Sequence, residues 1–258
     1  MLARPLYYLY ARHLLRQIGV KATPRHVGII LDGNRRYARA QGLPTPADVY
    51  HLGAHKLDDL LQWCAELDIP TVTLWVFSTD NLRRPPAEVS GILSAIETKL
   101  GQLAANPRMQ RLGVRVRAVG KLELLPDNTL AAIRAAEAAT AGHRALTLTI
   151  AVAYGGRQEI ADAVQALLRE RAKHGDPLEE IIDGVTEDAI GRYLYAPDLP
   201  DPDLIIRTSG EIRLSGFLLW QSAYSEFYFC DVPWPAFRRV DFLRAVRAFQ
   251  QRRRRYGA

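Results

Sequence analysis

The chain has 258 residues but only two cysteines, Cys64 and Cys230. They form no C-x-x-C pair and lie near no histidine cluster, which argues against a structural zinc site and against a disulfide framework. Two free thiols suit a reducing compartment, so a cytoplasmic protein is expected. No apolar run approaches the ~20 residues that span a bilayer. The first residues lack the apolar core and small-residue cleavage site of a secretory signal. Neither G-x-x-x-x-G-K-[ST] nor G-x-G-x-x-G occurs, which disfavours the P-loop and dinucleotide-binding folds. Internal repeats, low-complexity tracts and a clear linker are also missing.

What is present is an ordinary globular composition, 48% hydrophobic and 24% charged, with enough chain for one large α/β domain. The formal charge is +6, which suits an anionic partner. Much of the excess lies near the end, in Arg238, Arg239, Arg244, Arg247 and Arg252 to Arg255. No recognisable nucleic-acid module accompanies that basic tail, so a nucleic-acid partner is not expected. Residues 2–18 set Leu6, Leu9, Tyr10, Leu14 and Ile18 at helical spacing with arginines elsewhere. That is an amphipathic helix, read first as docked on the protein body and second as a peripheral membrane contact. The expected layout is this helix and a linker over 1–24, then a single catalytic α/β domain over 25–258.

Six short apolar or β-branched runs read as strands: about His26–Leu31, Thr71–Phe77, Val114–Val119, Leu146–Ala153, Leu204–Arg207 and Phe227–Phe229. Helical patterns alternate with them, and Gly42–Val49 reads as a Pro-rich loop. The alternation predicts a mostly parallel six-stranded sheet flanked by helices, with right-handed crossovers. In such sheets ligands bind beyond the C-terminal ends of the strands. Asp32, Ser78 and Arg207 each follow such an end.

Three constellations carry the chemistry. The first is Asp32-Gly33-Asn34-Arg35-Arg36, where a buried strand stops and a helix begins. Asp-Gly-Asn alone is ordinary turn chemistry. With two arginines and the free N–H groups of a helix start, it becomes an anion site. One carboxylate among such groups can hold Mg²⁺ against a phosphate. The second is Ser78-Thr79-Asp80-Asn81-Leu82-Arg83-Arg84, again between a strand and a helix; capping alone explains its Ser, Thr and Asn. The third is Arg207-Thr208-Ser209-Gly210-Glu211-Ile212-Arg213-Leu214-Ser215, two arginines flanking a hydroxyl-rich loop, which suits a second anion. Glu226 follows in an otherwise aromatic and apolar stretch.

These motifs, in this order, resemble the cis-prenyltransferase family, which includes undecaprenyl diphosphate synthase. The specific parts are HVGIILDGNRRYA, FSTDNLRRP, YGGR, DLIIRTSGEIRLSGFLLWQSAYSEFYF and the closing RRRRYG. The resemblance implies the family's α/β fold with an apolar tunnel, a homodimer, and elongation of an allylic diphosphate by isopentenyl diphosphate with cis geometry. It implies Mg²⁺ bound by Asp32 and Glu226. Gly33, Asn34, Arg35, Arg36 and Tyr37 would cradle the allylic diphosphate; Ser78, Thr79, Asp80, Leu82 and Arg84 fall on the substrate loop. Asn81 falls where the proton acceptor is assigned. Arg207, Arg213, Leu214 and Ser215 would hold isopentenyl diphosphate, and Arg255 and Gly257 match a C-terminal R-x-G that reaches the partner subunit. Val76, Leu93, Ile96, Leu100 and Leu146 are the tunnel candidates.

Four positions depart from the family pattern. The 45–53 segment lacks an arginine and carries Tyr50 in place of a histidine, Leu82 replaces a tryptophan, Ile212 replaces a histidine, and Val76 occupies a position that is often alanine. The overall combination looks most like the short-chain branch that makes (2Z,6E)-farnesyl diphosphate from geranyl diphosphate. The alternatives are a long-chain polyprenyl diphosphate synthase, a non-catalytic subunit of a heteromer, and a basic nucleic-acid-binding protein.

Overall fold

The computed structural model describes residues 3–18, 22–43 and 46–252. Arg255 and Gly257 lie outside them. The described residues form a central sheet of strands β1 (His26–Ile30), β2 (Thr71–Ser78), β3 (Val114–Val119), β4 (Leu146–Tyr154), β5 (Leu204–Arg207) and β6 (Glu226–Phe229). Their order is β3-β4-β2-β1-β5-β6, and every pairing is parallel. The sheet expected from the apolar runs is therefore present and parallel throughout. All five residues of β1 and all four of β5 are buried, as strands covered by helices on both faces must be.

The helices are α1 (Ala3–Ile18), α2 (Asn34–Gln41), α3 (Pro46–Glu66), α4 (Pro86–Ala105), α5 (Pro107–Arg111), α6 (Asp127–Thr140), α7 (Gly156–His174), α8 (Leu178–Asp183), α9 (Glu187–Gly191) and α10 (Arg239–Gln251). The Pro-rich stretch expected as a loop up to Val49 is shorter than that. Pro46 opens α3, because proline's fixed φ and missing N–H are harmless at a first helical position. α1 joins the main core through Ala11, Leu14 and Ile18, which agrees with a docked helix.

The site lies where the chain reverses its direction of travel across the sheet. From β1 the chain moves to β2 on one side, and from β5 to β6 on the other. A crevice opens beyond the carboxyl ends of such a strand pair. Register sets Ile30 beside Arg207, so the residues that follow β1 face the end of β5.

The exposed edge of β3 is closed by α6. The Thr140 hydroxyl accepts the Val116 N–H at 2.9 Å, and the Glu137 carboxylate accepts the Ala118 N–H at 2.9 Å. Unpaired edge groups would otherwise invite pairing with another chain. Thr140→Val removes the acceptor and keeps the shape, leaving a buried N–H without a partner. A loss of about 1–3 kcal/mol is expected, read as a lower urea midpoint at unchanged slope.

Candidate active site

Asp32 sits one residue past Leu31, just beyond β1, and its backbone is tied to the loop after β5. The Thr208 hydroxyl accepts the Asp32 N–H at 2.9 Å and donates to the Asp32 carbonyl at 2.8 Å. The Trp234 N–H also donates to that carbonyl, at 2.9 Å. The carboxylate accepts the Gly33 N–H at 2.6 Å through Oδ1 and an Arg207 Nη at 2.7 Å through Oδ2. Gly33 has φ +92°, and a Cβ there would lie 2.6 Å from the Ser209 hydroxyl. Glycine is thus required both for the turn and for the close approach of the two loops.

Arg207 is buried, and its guanidinium also donates to the Ser215 hydroxyl at 2.8 Å and to the Arg213 carbonyl. Its Nε has no partner. Around this pair lies a cleft of about 540 Å³, bordered by Asp32, Gly33, Asn34, Arg35, Arg36, Ser78, Asn81, Arg84, Arg207 and Arg213. The structure thus brings together residues from all three constellations, which span 32–213 in sequence.

Two carboxylates at this cleft were not singled out in the sequence. Glu88, in the first turn of α4, accepts from Arg84 at 2.9 Å and from the Tyr50 hydroxyl at 2.8 Å, and lies 3.9 Å from Arg35. Burial and the neighbouring Glu88 push the Tyr50 phenol up to about 12, so Tyr50 is a hydroxyl donor at neutral pH. Glu211 pairs with Arg36 at 3.2 Å and with Arg213 at 2.5 Å. An acidic residue in a helix's first turn is ordinary as a partner for the helix dipole, so Glu88 carries no signal of its own in the sequence. Tyr50 borders the cleft, so the tyrosine at the departing position does face the site.

Other expectations are redistributed. Asn81 accepts the Ser78 N–H at 3.0 Å while the Ser78 hydroxyl accepts the Asn81 N–H at 3.2 Å, a reciprocal cap. Thr79, Asp80, Leu214 and Ser215 border a neighbouring depression with Arg83 and Arg157. Leu82 packs on the main core, and Tyr37 borders neither opening. Glu226 lies apart from Asp32 within the chain. It opens β6, level with Leu204 and hence with Val27. Asp32 lies five residues further on, about 16 Å along the strand direction. Within one chain the two carboxylates cannot share an ion, and Glu226 instead pairs with Arg252 at 2.6 Å.

Among the described residues no group of three or more His, Cys, Asp or Glu side chains could hold a metal. A single carboxylate beside an arginine-lined cleft suits Mg²⁺, which keeps several waters and takes its other ligands from substrate phosphates. The residues present fit that ion through Asp32 alone.

Behind the cleft is an apolar cavity of about 80 Å³ between the sheet and helices α3 and α4. Leu31, Asn34, Tyr50, Val76 and Ile92 border both openings, so the cavity leads directly out of the polar cleft. Of the tunnel candidates, Val76, Ile96 and Leu100 line it. Leu93 and Leu146 do not; both are core residues, and Leu146 opens β4 at the amino-terminal end of the strands, away from the cleft at their carboxyl ends. No described helix is long and apolar enough to cross a membrane.

A family model described as undecaprenyl diphosphate synthase matches residues 30–257. The chain is 56% identical over 253 residues to an isoprenyl transferase of Deinococcus radiodurans, covering 98% of this chain and 92% of that protein. It is 51% identical over 257 residues to a (2Z,6E)-farnesyl diphosphate synthase of Thermobifida fusca, covering 100% and 99%. It is 49% identical to a tritrans,polycis-undecaprenyl-diphosphate synthase of Methanopyrus kandleri, covering 98% and 92%. Among solved structures, lavandulyl diphosphate synthase from Lavandula x intermedia, in complex with dimethylallyl diphosphate, superposes with a TM-score of 0.83 at 30% identity, covering 92% of this chain and 99% of that one. The fold, the arginine-lined cleft and these likenesses agree: the chain belongs to the undecaprenyl diphosphate synthase family of prenyltransferases.

Proposed function

We propose that this transferase condenses isopentenyl diphosphate with an allylic diphosphate to give a cis-prenyl diphosphate. The observation that carries the reading is the junction of an arginine-lined cleft with an apolar cavity through shared walls. A prenyl diphosphate has the same two halves. The allylic C–O bond breaks, a bond forms from the allylic carbon to the terminal methylene carbon (C4) of isopentenyl diphosphate, positive charge falls on C3, and C2 loses a proton to give the new C2–C3 double bond. Inorganic diphosphate departs.

Asp32 would hold Mg²⁺, which neutralises charge on the departing diphosphate oxygens. Gly33, Asn34, Arg35 and Arg36 offer the N–H groups and guanidinium groups of the α2 start to one diphosphate. Arg207, Arg213 and Ser215 offer a second set from the loop after β5. Such preorganised donors are worth most where charge develops in a water-poor cleft. Asn81 is the polar group we place at proton removal. A neutral carboxamide is no base, so the proton passes on to the departing diphosphate. When a diphosphate enters, it takes the arginines from Glu88 and Glu211, since phosphate oxygens match guanidinium bidentately.

The chain-length reading is a short product such as (2Z,6E)-farnesyl diphosphate. It is supported by the small cavity and by Val76 at its mouth. A long-chain product requires the cavity to open much further. The homodimer and the cytoplasmic location belong to the same proposal.

The test is incorporation of radiolabelled isopentenyl diphosphate with geranyl or farnesyl diphosphate and Mg²⁺, with products separated by length. Chelation should abolish incorporation and added Mg²⁺ restore it. Asp32→Asn keeps a hydrogen-bond acceptor for Arg207 but removes its counter-charge, so a lowered melting temperature is expected and turnover is measured well below it, on folded protein. Its turnover should fall by about a hundredfold to a thousandfold or more; near-normal turnover would remove Asp32 from the mechanism. Val76→Ala should lengthen the products, and an unchanged distribution would rule out Val76 as a stop.

A further inference from the structure

The apolar cavity has one charged wall. Lys99 lines it together with Ile96, Leu100 and Leu103 of the same helix. The Lys99 side chain is 6% exposed, and its ammonium lies 2.7 Å from the Asp58 carboxylate. Asp58 belongs to α3, so this ion pair joins α3 to α4 beside the apolar cavity, with Lys99 as its member on the cavity wall. A buried lysine is rare without a partner, and nothing in the diphosphate cleft uses this one.

Its depth matters. Ile92 borders both the cleft and the cavity. Lys99 is seven residues further along α4, about 10 Å at 1.5 Å per residue. An isoprene unit contributes four main-chain bonds of about 1.5 Å, or about 5 Å end to end. The ion pair therefore stands about two isoprene units in from the mouth.

We propose that the Lys99–Asp58 ion pair is a product-length determinant of the condensation proposed above, and it rests on that reading. Two effects act together. Hydrocarbon pressed against a buried ammonium gains no solvation and strips the charge of what polar surroundings it has. The pair also clamps α3 to α4, and a cavity of about 80 Å³ lengthens only if those helices separate. Growth past this depth runs along the charged wall toward Leu103 and strains the clamp, so the chain leaves instead.

Lys99→Met keeps the stem's length and removes the charge. Replacing a buried ion pair by apolar side chains of similar volume is often neutral or stabilising. The double variant Asp58→Leu/Lys99→Met therefore tests the same point if the single one unfolds. The measurement is the product distribution with isopentenyl diphosphate, geranyl diphosphate and Mg²⁺, beside wild type, with folding checked by thermal melt. The expected result is a most abundant product at least one isoprene unit longer, with isopentenyl diphosphate still consumed. A folded, active variant with the wild-type distribution overturns the proposal. If the wild-type protein itself incorporates no isopentenyl diphosphate, the functional reading fails, which is a separate outcome.

Discussion

The ion pair between Asp32 and Arg207 holds the site together. Its two members stand at the ends of adjacent strands, β1 and β5, and lie 2.7 Å apart. Arg207 is 5% exposed. A guanidinium so deeply placed is costly unless paired and hydrogen-bonded, and deleting one partner of such a pair costs several kcal/mol. Asp32, Ser215 and the Arg213 carbonyl supply that pairing. The carboxylate best placed to meet a cation is therefore also the one that keeps the loop after β5 in position. The Thr208 bonds to the Asp32 backbone fasten the same two loops independently of charge.

The remaining arginines repeat the arrangement more loosely. Arg84 and Arg35 gather around Glu88, and Arg36 and Arg213 around Glu211. Arg35, Arg36 and Arg213 are more than half exposed, where an ion pair contributes little. Such pairs orient a cation without committing it. Arginines held this way stay aimed into the cleft, and exchanging a carboxylate for a diphosphate costs little. The contrast with Arg207 separates a fixed scaffold charge from three adaptable ones.

The fold was legible because parallel strands buried on both faces leave near-continuous apolar runs, as in Thr71–Ser78 and Leu146–Tyr154. Asp32 and Arg207 were legible for the same reason: each stands where such a run stops. Glu226 was not. Its place beside Asp32 rested on the family resemblance alone, and the chain travels back to the amino-terminal end of the strands before β6 begins. A strand pattern tells which residues are buried, not which end of the sheet they start from. Leu146 failed in the same way. Lys99 was hidden by the stripe that surrounds it, since Ile96, Leu100 and Leu103 fix an apolar face of α4 and a lysine stem blends into such a face. Glu88 needed Tyr50, from a different helix, to show itself as part of the cleft.

The apolar cavity is narrow for the prenyl chain it is proposed to receive, so binding and helix movement are coupled. Transfer of hydrocarbon from water is worth about 0.8 kcal/mol per CH₂, or about 4 kcal/mol per isoprene unit. That is comparable to the cost of disturbing a few core contacts between α3 and α4, for which removing one buried aliphatic side chain costs about 2–5 kcal/mol. Each added unit therefore contributes roughly what is needed to part the helices around it, provided the walls are apolar. Small residues at the near end, Gly53, Ala54 and Ala95, leave side chains there with little to displace. A charged bridge further in changes the balance, because the same hydrocarbon then has to replace an electrostatic contact. On this argument length is set less by a blocked tube than by the depth at which a growing chain stops gaining free energy.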